Sequence, residues 1–255
     1  MKLTVLVDNN TLIDSYYLGE PALSFYIEDE DKKILFDTGY SDIFLLNAKK
    51  MNIDLRKIDT LVLSHGHNDH TGGLIHVFSF HQDIDVYAHP NLDNEKEHNG
   101  KDISSPVILD TLPHNFKIHK TKEPIKISKH LTYLGEIPRV IQPLRKLGDD
   151  ELLDDSAMVY ENEEGIFIIT ACSHAGICNI IDYAKKLTGK NHILGIIGGF
   201  HLLDDEKQTR EVCDYMKDED IDILYPCHCT DLKAKIALSK IKPIQEIGVS
   251  YQLEI

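Results

Sequence analysis

The chain has 255 residues, of which 42 % are hydrophobic and 27 % are charged, a composition typical of a globular protein and not of a disordered one. It carries 27 Lys and Arg residues against 42 Asp and Glu residues, so the formal net charge is −15. Such an acidic surface repels phosphate backbones and anionic lipids, which argues against a nucleic-acid partner and against a membrane surface. A small anionic ligand stays compatible with this charge where a metal ion holds it.

The amino-terminal residues do not resemble a targeting segment, because Asp8 interrupts the apolar run of MKLTVLVDNN. No window approaches the ~18 apolar residues of a membrane-spanning helix. The five Cys residues are an odd number in a long chain and do not form a disulfide framework. We therefore expect a cytoplasmic protein with free thiols.

The first half of the chain predicts strands that alternate with helices. Strands are predicted over residues 2–7, 23–27, 33–36 and 58–63, an amphipathic helix over 42–51 with Ser41 as its N-cap, and a further helix from about Gly73. Residues 90–150 are rich in proline and charge, which predicts short strands and long loops that form a cap or insertion.

The second half returns to a regular pattern. It predicts a hairpin over 157–160 and 166–170, helices over 177–187, 206–216 and 232–240, and strands over 193–197, 221–224 and 247–253. Strands followed by helices in both halves favour an α/β layered fold, and we interpret residues 1–255 as one domain.

The strongest chemical signal is SHGHNDHTGG at residues 64–73, which directly follows a predicted buried strand. His65 and His67 are two residues apart and can face one ion, whereas Asp69 and His70 come after a turn and can serve a second ion. Imidazole and carboxylate groups suit Zn²⁺, and also Fe or Mn. The carboxyl end of a strand is where α/β sheets place their sites.

This motif resembles the HxHxDH signature of the metallo-β-lactamase superfamily, and FDTG at 36–39 resembles the DTG of that superfamily. Four later segments resemble a branch of metal-dependent hydrolases that includes the dihydropterin ribofuranosyl-aminobenzene phosphate synthases of methanopterin biosynthesis. These segments are GEIPR at 135–139, TACSHAG at 170–176, GGFHL at 198–202 and PCHCT at 226–230. The resemblance implies a four-layer αβ/βα sandwich with metal ions at one edge.

The resemblance also implies the ligand sets. His174 corresponds to a later ligand of the first metal, which gives His65, His67 and His174, and His228 completes the second set with Asp69 and His70. The superfamily usually has an Asp that bridges two metals, but the stretch ACSHAG contains no acid. Asp154 or Asp155, or the thiolate of Cys172, could take its place, so the site is either mono- or dinuclear.

Other residues carry weaker expectations. We interpret Asp37 either as a partner that orients a ligand imidazole or as a plain turn residue. His201 follows a glycine pair and could face the cleft as a catalytic group, and Arg139 could bind an anionic substrate. Cys227 and Cys229 flank His228, and alternation along a strand would turn both thiols away from the metals.

Three functions remain open on this evidence. The first is a hydrolase in which a metal ion activates water against a small ester or phosphoester, with Asp69 and His201 assisting. The second is a transferase that joins a pterin methyl diphosphate to an aryl ribofuranosyl phosphate. The third is a non-catalytic protein that keeps the fold and binds a metal or ligand. The expected partner is a small, anionic molecule, and the expected cofactor is one or two Zn²⁺ ions.

Overall fold

The computed structural model describes residues 1–142, 150–203 and 205–255, and two β-sheets form the centre of this structure. The strands are β1 (Lys2–Val7), β2 (Ser24–Asp29), β3 (Lys32–Phe36), β4 (Thr60–Val62), β5 (Ile84–Ala88), β6 (Glu97–His98), β7 (Lys101–Asp102), β8 (Phe116–Lys120), β9 (Ile125–Lys126), β10 (Leu131–Tyr133), β11 (Ala157–Glu161), β12 (Ile166–Thr170), β13 (Ile193–Gly198), β14 (Leu224–Pro226) and β15 (Gln252–Glu254). The helices are α1 (Ile43–Lys50), α2 (Asn68–Thr71), α3 (Leu74–Val77), α4 (Ile177–Thr188), α5 (Glu206–Lys217) and α6 (Leu232–Leu238).

The order of the strands brings several carboxyl ends to one place. The first sheet has the order β15-β1-β2-β3-β4-β5-β8, and the second has the order β14-β13-β12-β11-β10-β9. Strands β3, β4, β5 and β8 run parallel to one another, as do β12, β13 and β14. The residues that follow parallel strands therefore gather at a common edge, where α/β proteins place their sites.

Alternating side chains on β12 show why the chain forms layers. Ile166 and Ile168 pack outward in a cluster with helices α4, α5 and α6. Phe167 and Ile169 point inward, into a core that both sheets share. A third apolar cluster covers the outer face of the first sheet with α1 and α3. The layers are thus helix, sheet, sheet, helix, and the predicted αβ/βα sandwich is confirmed.

Some predicted elements differ from those in the structure. The strand predicted over 221–224 lies later, at β14, because Ile221 makes only an isolated bridge to Ile193. The strand predicted over 247–253 is limited to β15, because Ser250 has a φ of +78° that interrupts the extended backbone. The helix predicted from about Gly73 is limited to the four residues of α3, and a separate four-residue helix, α2, lies inside the segment predicted as a loop.

The proline-rich stretch 90–150 is built partly into the two sheets. It contributes β8 to the first sheet and β9 and β10 to the second, while β6 and β7 form a separate hairpin. Residues 143–149 of this stretch lie outside the described residues. None of the helices in the described ranges combines the length and apolarity that crossing a membrane requires.

The buried Asn179 joins helix α4 to the loop that follows β10. Its Oδ1 accepts the backbone N–H groups of residues 140, 141 and 142 at 3.0, 2.7 and 3.0 Å. Its Nδ2 donates to the carbonyl oxygens of Gln142 and Ala175 at 3.0 and 2.7 Å. One side chain therefore joins residues 140–142 to the start of α4, just after His174.

We expect Asn179→Ala to lower the free energy of unfolding by about 2 kcal/mol, because the carbonyl of Ala175 and several N–H groups lose their partner. Urea unfolding followed by circular dichroism measures this loss. The matched control is Asn94→Ala at an exposed position, which should change the stability by less than about 0.5 kcal/mol. Equal losses in the two variants would contradict the structural role of Asn179.

Candidate metal centre

The histidine-rich loop 64–73 begins directly after β4 and faces residues of the second sheet. Cys172 and His174 follow β12, His201 follows β13, and His228 follows β14. Atoms of these residues form three groups that could each hold a metal ion, and within each group the ligand atoms lie within 4.8 Å of one another. The edge where the strands end is therefore a cluster of potential metal ligands.

The first group contains His65, His67 and His174, all of them buried. The Nε2 of His65 lies 3.1 Å from the Nδ1 of His67, and the ring centroid of His174 lies 4.8 Å from that of His65 and 4.7 Å from that of His67. Among the described residues, no hydrogen-bond partner meets the buried Nε2 of His67. Buried polar atoms normally have partners, so this donor set fits a metal ion.

The second group contains Asp69, His70, Cys172 and His228. The Nε2 atoms of His70 and His228 lie 3.2 Å apart, and Asp69 Oδ2 lies 3.5 Å from the first and 3.4 Å from the second. The Sγ of Cys172 lies 3.3 Å from His70 Nε2. Carboxylate, imidazole and thiol atoms converge on one point, and this donor set also suits Zn²⁺.

Outer residues orient the imidazoles of this second group. Asp37 Oδ2 accepts from His70 Nδ1 at 2.7 Å, which leaves the His70 Nε2 lone pair to face the group. The same carboxylate accepts the Ser64 N–H at 2.8 Å and the Ser64 hydroxyl at 2.6 Å. The Nδ1 of His228 lies 2.9 Å from Asn9 Oδ1, so its Nε2 likewise remains available.

The two groups differ in their electrostatics. Burial lowers the pKa of His67 to about 3 and the pKa of His65 well below its ordinary value, so both rings are neutral ligands at pH 7. Burial opposes the charge on His70 as well, but the carboxylates of Asp69 and Asp37 raise its pKa to about 9. The second group thus attracts a positive charge, from a proton or from a metal ion.

Two aspartates considered as bridging ligands lie behind the first group. Asp154 Oδ2 accepts the Gly66 N–H at 2.7 Å, and its Oδ1 pairs with the buried Lys96 at 3.1 Å. Asp155 Oδ2 accepts the Ala175 N–H at 2.8 Å, and its Oδ1 lies 4.0 Å from His65 Nδ1. Neither carboxylate belongs to a ligand group, whereas the thiol of Cys172 belongs to two.

The expectation that both flanking thiols turn away from the metals is wrong for Cys229. Cys227 is buried in the core between the sheets, but Cys229 lines the cleft and belongs to the third group, with Cys172 and His201. Strand β14 ends at Pro226, and His228 has a φ of +48°. Because the chain is not extended here, strand alternation does not apply.

Arg139 does not take the substrate-facing position that the sequence suggested. Its Nη2 donates to the Leu152 carbonyl at 2.6 Å, and its side chain is absent from the described lining of the cleft. The guanidinium therefore stabilises the loop before β11 instead of facing a ligand. His201, in contrast, lines the cleft, with its ring centroid 4.4 Å from that of His174.

Sequence reasoning missed residues that support the site. Asp8 and Asn9 follow β1, where Asp8 Oδ1 accepts the His228 N–H at 2.9 Å and Asn9 contacts the His228 ring. Ser64 connects Asp37 to His65. The available signal was DNN at the end of an apolar strand, because β1 runs in the same direction as β3.

A cleft of about 690 Å³ opens above the ligand groups, a volume suited to a small molecule. Its apolar wall is formed by Pro21, Tyr40, Ile103, Leu152 and Leu203. Within the described part of the chain, no lysine or arginine lines this cleft.

Comparison with known proteins identifies the family. The family model described as the metallo-beta-lactamase superfamily matches residues 18–228. The chain belongs to the metallo-β-lactamase superfamily. Structures with low sequence identity share this fold, among them Zn(2+)-bound PqqB from Methylobacterium extorquens, which is 13 % identical with a TM-score of 0.63 over 100 % of both chains.

Proteins that are more similar in sequence have 25–32 % identity to this chain. A 7,8-dihydropterin-6-methyl-4-(beta-D-ribofuranosyl)-aminobenzene-5'-phosphate synthase of Methanocaldococcus jannaschii is 30 % identical over 92 % of this chain and 89 % of the relative. An uncharacterised protein of the same organism, MJ0448, is 32 % identical over 94 % of each chain. The crystal structure of Tm1679, described as a metal-dependent hydrolase of the beta-lactamase superfamily, is 25 % identical with a TM-score of 0.87, covering 100 % of this chain and 99 % of that one.

We expect Asp37→Asn to weaken metal binding at the second group by about 10- to 100-fold, and to weaken the first group less, because Asp37 reaches His65 only through Ser64. The amide offers one acceptor oxygen to the three donors that Asp37 now serves, while asparagine tolerates the φ of +56° at this position. Competition with a chromophoric chelator measures both affinities. An unchanged second affinity would show that Asp37 does not orient His70.

Asp155→Asn should have opposite effects on the metal-free and the metal-loaded protein. Burial raises the pKa of Asp155 to about 6, so folding disfavours its ionised form. The loss of stability from this ionisation is absent well below the pKa of the unfolded state and complete above pH 6. Without metal, the variant should therefore have a higher melting temperature than the wild type at pH 8, and this difference should shrink towards pH 5.

With Zn²⁺ bound, the carboxylate beside His65 is favourable, and the same variant should bind metal more weakly. Thermal melts with a chelator and with Zn²⁺, at pH 5 and pH 8, test the sign of the change in melting temperature. A variant that melts lower in every condition would refute this electrostatic account.

Proposed function

We propose that the protein is a metal-dependent hydrolase that cleaves a small anionic ester or phosphoester. One observation carries this proposal: two ligand groups lie side by side at the floor of a cleft whose described lining has no lysine or arginine. A substrate anion in an acidic protein needs a source of positive charge, and metal ions at these groups would be that source.

The donor atoms favour Zn²⁺, and they also accommodate Fe or Mn. His65, His67 and His174 would hold one ion, and Asp69, His70 and His228 would hold the other. Metal ions here would supply Lewis-acid activation of a water molecule and of the scissile group. The Sγ of Cys172 lies 3.3 Å from His70 Nε2, so its thiolate would be a further ligand of the second ion.

Asp69 would orient the attacking water. Burial opposes its ionisation, but His70 and His228 lower its pKa below the ordinary range, so it is a hydrogen-bond acceptor at neutral pH and not an acid. His201 lines the same cleft beside His174 and would give a proton to the leaving group.

The cleft also indicates what the substrate looks like. An anionic end would meet the ligand groups, and a planar or apolar part would contact the wall formed by Tyr40 and Leu203. Both side chains are largely exposed, at 55 % and 49 %, so a bound aromatic ring would bury apolar surface. This chemistry fits an aryl or heterocyclic phosphoester.

The second candidate is group transfer at the same site. It is favoured by the 30 % identity to a synthase whose product joins a dihydropterin to a ribofuranosyl-aminobenzene phosphate. An aryl amine would then replace water as the nucleophile, and a pterin methyl diphosphate would lose diphosphate. A non-catalytic role is disfavoured by the complete HGHNDH sequence and its buried ligand geometry.

The test combines elemental analysis with two assays on the same metal-loaded protein. We expect about two metal ions per chain, with hydrolysis of phosphodiester or ester probes, and a loss of activity of about 100-fold or more in Asp69→Asn and His174→Ala. The exposed His81→Ala is the matched control and should retain full activity.

If the protein released pyrophosphate from a pterin methyl diphosphate only when a ribofuranosyl-aminobenzene phosphate was added, the result would indicate group transfer and not hydrolysis. A metal-loaded protein that is inactive in both assays would refute the enzymatic proposal.

A further inference from the structure

The third ligand group contains two thiols, and the proposed reaction assigns no role to the thiol of Cys229. It contains Cys172, His201 and Cys229, which follow β12, β13 and β14, so three neighbouring parallel strands each contribute one residue. The Sγ of Cys229 lies 3.4 Å from the Cys172 carbonyl oxygen. Both sulfurs and the imidazole line the same cleft as the two groups described above.

Gly199 leaves space for the sulfur of Cys229. A Cβ at Gly199 would lie 2.5 Å from Cys229 Sγ and 2.5 Å from the Ala171 carbonyl oxygen, too close for any other residue without a shift. His201, two residues after Gly199, and His228, directly before Cys229, have positive φ angles of +49° and +48°. Left-handed backbone at residues other than glycine is costly, and such residues concentrate at functional sites.

The geometry suits a soft metal ion. Ligands at Zn–S distances of about 2.3 Å and Zn–N distances of about 2.0 Å stand roughly 3.5 Å from each other on a tetrahedral ion, and the three ligand atoms all lie within 4.8 Å of one another. The group has no carboxylate, unlike the neighbouring second group. Thiol and imidazole donors favour Zn²⁺, Cd²⁺ or Cu⁺ over Mg²⁺ and Mn²⁺.

We propose that Cys172, His201 and Cys229 form a third metal position, in which the Cys172 thiolate is shared with the group of Asp69, His70 and His228. Metal binding there releases the two thiol protons to solvent and leaves the oxidation state of sulfur unchanged. This position does not depend on whether the protein hydrolyses or transfers its substrate.

Cobalt titration of the reduced, metal-free protein tests the proposal without any activity measurement. Co²⁺ bound by thiolates gives a charge-transfer absorption in the near ultraviolet, which imidazole and carboxylate ligands do not give. We expect this absorption in the wild type and a decrease to about half in Cys229→Ala, where the Cys172 thiolate remains in the group of Asp69, His70 and His228. We expect a complete loss in Cys172→Ala, because Cys229 and His201 alone are too few ligands to hold the ion. Cys213→Ala on α5 is the matched control and should keep the full absorption.

His201→Ala gives a second test that does not depend on whether the cysteine variants fold. It keeps both thiols, and we expect it to bind about one Co²⁺ fewer per chain than the wild type while its circular dichroism is unchanged. Absence of the thiolate absorption in the wild type, or an absorption that Cys229→Ala does not reduce, would overturn the proposal.

Counting of reactive thiols distinguishes a bound metal ion from a disulfide between Cys172 and Cys229. Zn²⁺ should protect two thiols from a thiol reagent, and a chelator should expose them again. Two thiols that return only after reduction would indicate a Cys172–Cys229 disulfide, and this result would also overturn the metal position. The proposed hydrolase could still be active in that case, since its two ligand groups need neither Cys229 nor His201 as ligands.

Discussion

Six imidazole rings held at one edge of the sandwich impose the main physical constraint on this structure. Nitrogen atoms of His65 and His67 lie 3.1 Å apart, and those of His70 and His228 lie 3.2 Å apart. One ring of each pair can donate an N–H to the lone pair of the other, but two doubly protonated rings or two facing lone pairs would repel at these distances. A metal ion that both nitrogens coordinate would satisfy the two rings at once, so this edge is a frame suited to metal ions.

This frame forms because the backbone leaves the extended conformation where the strands end. Asp37, Ser173, His201 and His228 all have positive φ angles, between 48° and 56°. Each turns the chain sharply after a strand so that short polar side chains meet across the two sheets. The cost of about 1–3 kcal/mol for each such residue is offset by the buried hydrogen bonds of groups such as Asp37 and Ser64, and by the packing of the sheets behind them.

The sequence was sufficient to predict the layered fold and the ligand-bearing loops, because HGHNDH and the apolar strands are local patterns. What it could not provide were the directions of side chains outside regular structure. Cys229 was misjudged because alternation was assumed across His228, where the strand has already ended. For Arg139 the sequence left a substrate-binding and a structural role open, and the bond from its guanidinium to the Leu152 carbonyl, 13 residues further along, favours the structural one. The partnership of Asn9 with His228 joins residues 219 positions apart, and no local pattern encodes it.

Charge connects the site to the rest of the molecule. With a formal net charge of −15, the protein repels anions at a distance, and no described residue of the cleft lining is a lysine or arginine that could counter this. Metal ions would therefore have to provide both the attraction for an anionic substrate and its activation. Binding of metal and binding of substrate are then thermodynamically linked, so each strengthens the other by the same factor. Cys172 lies where two ligand groups meet, which makes its sulfur the atom through which a change in one metal position reaches the other.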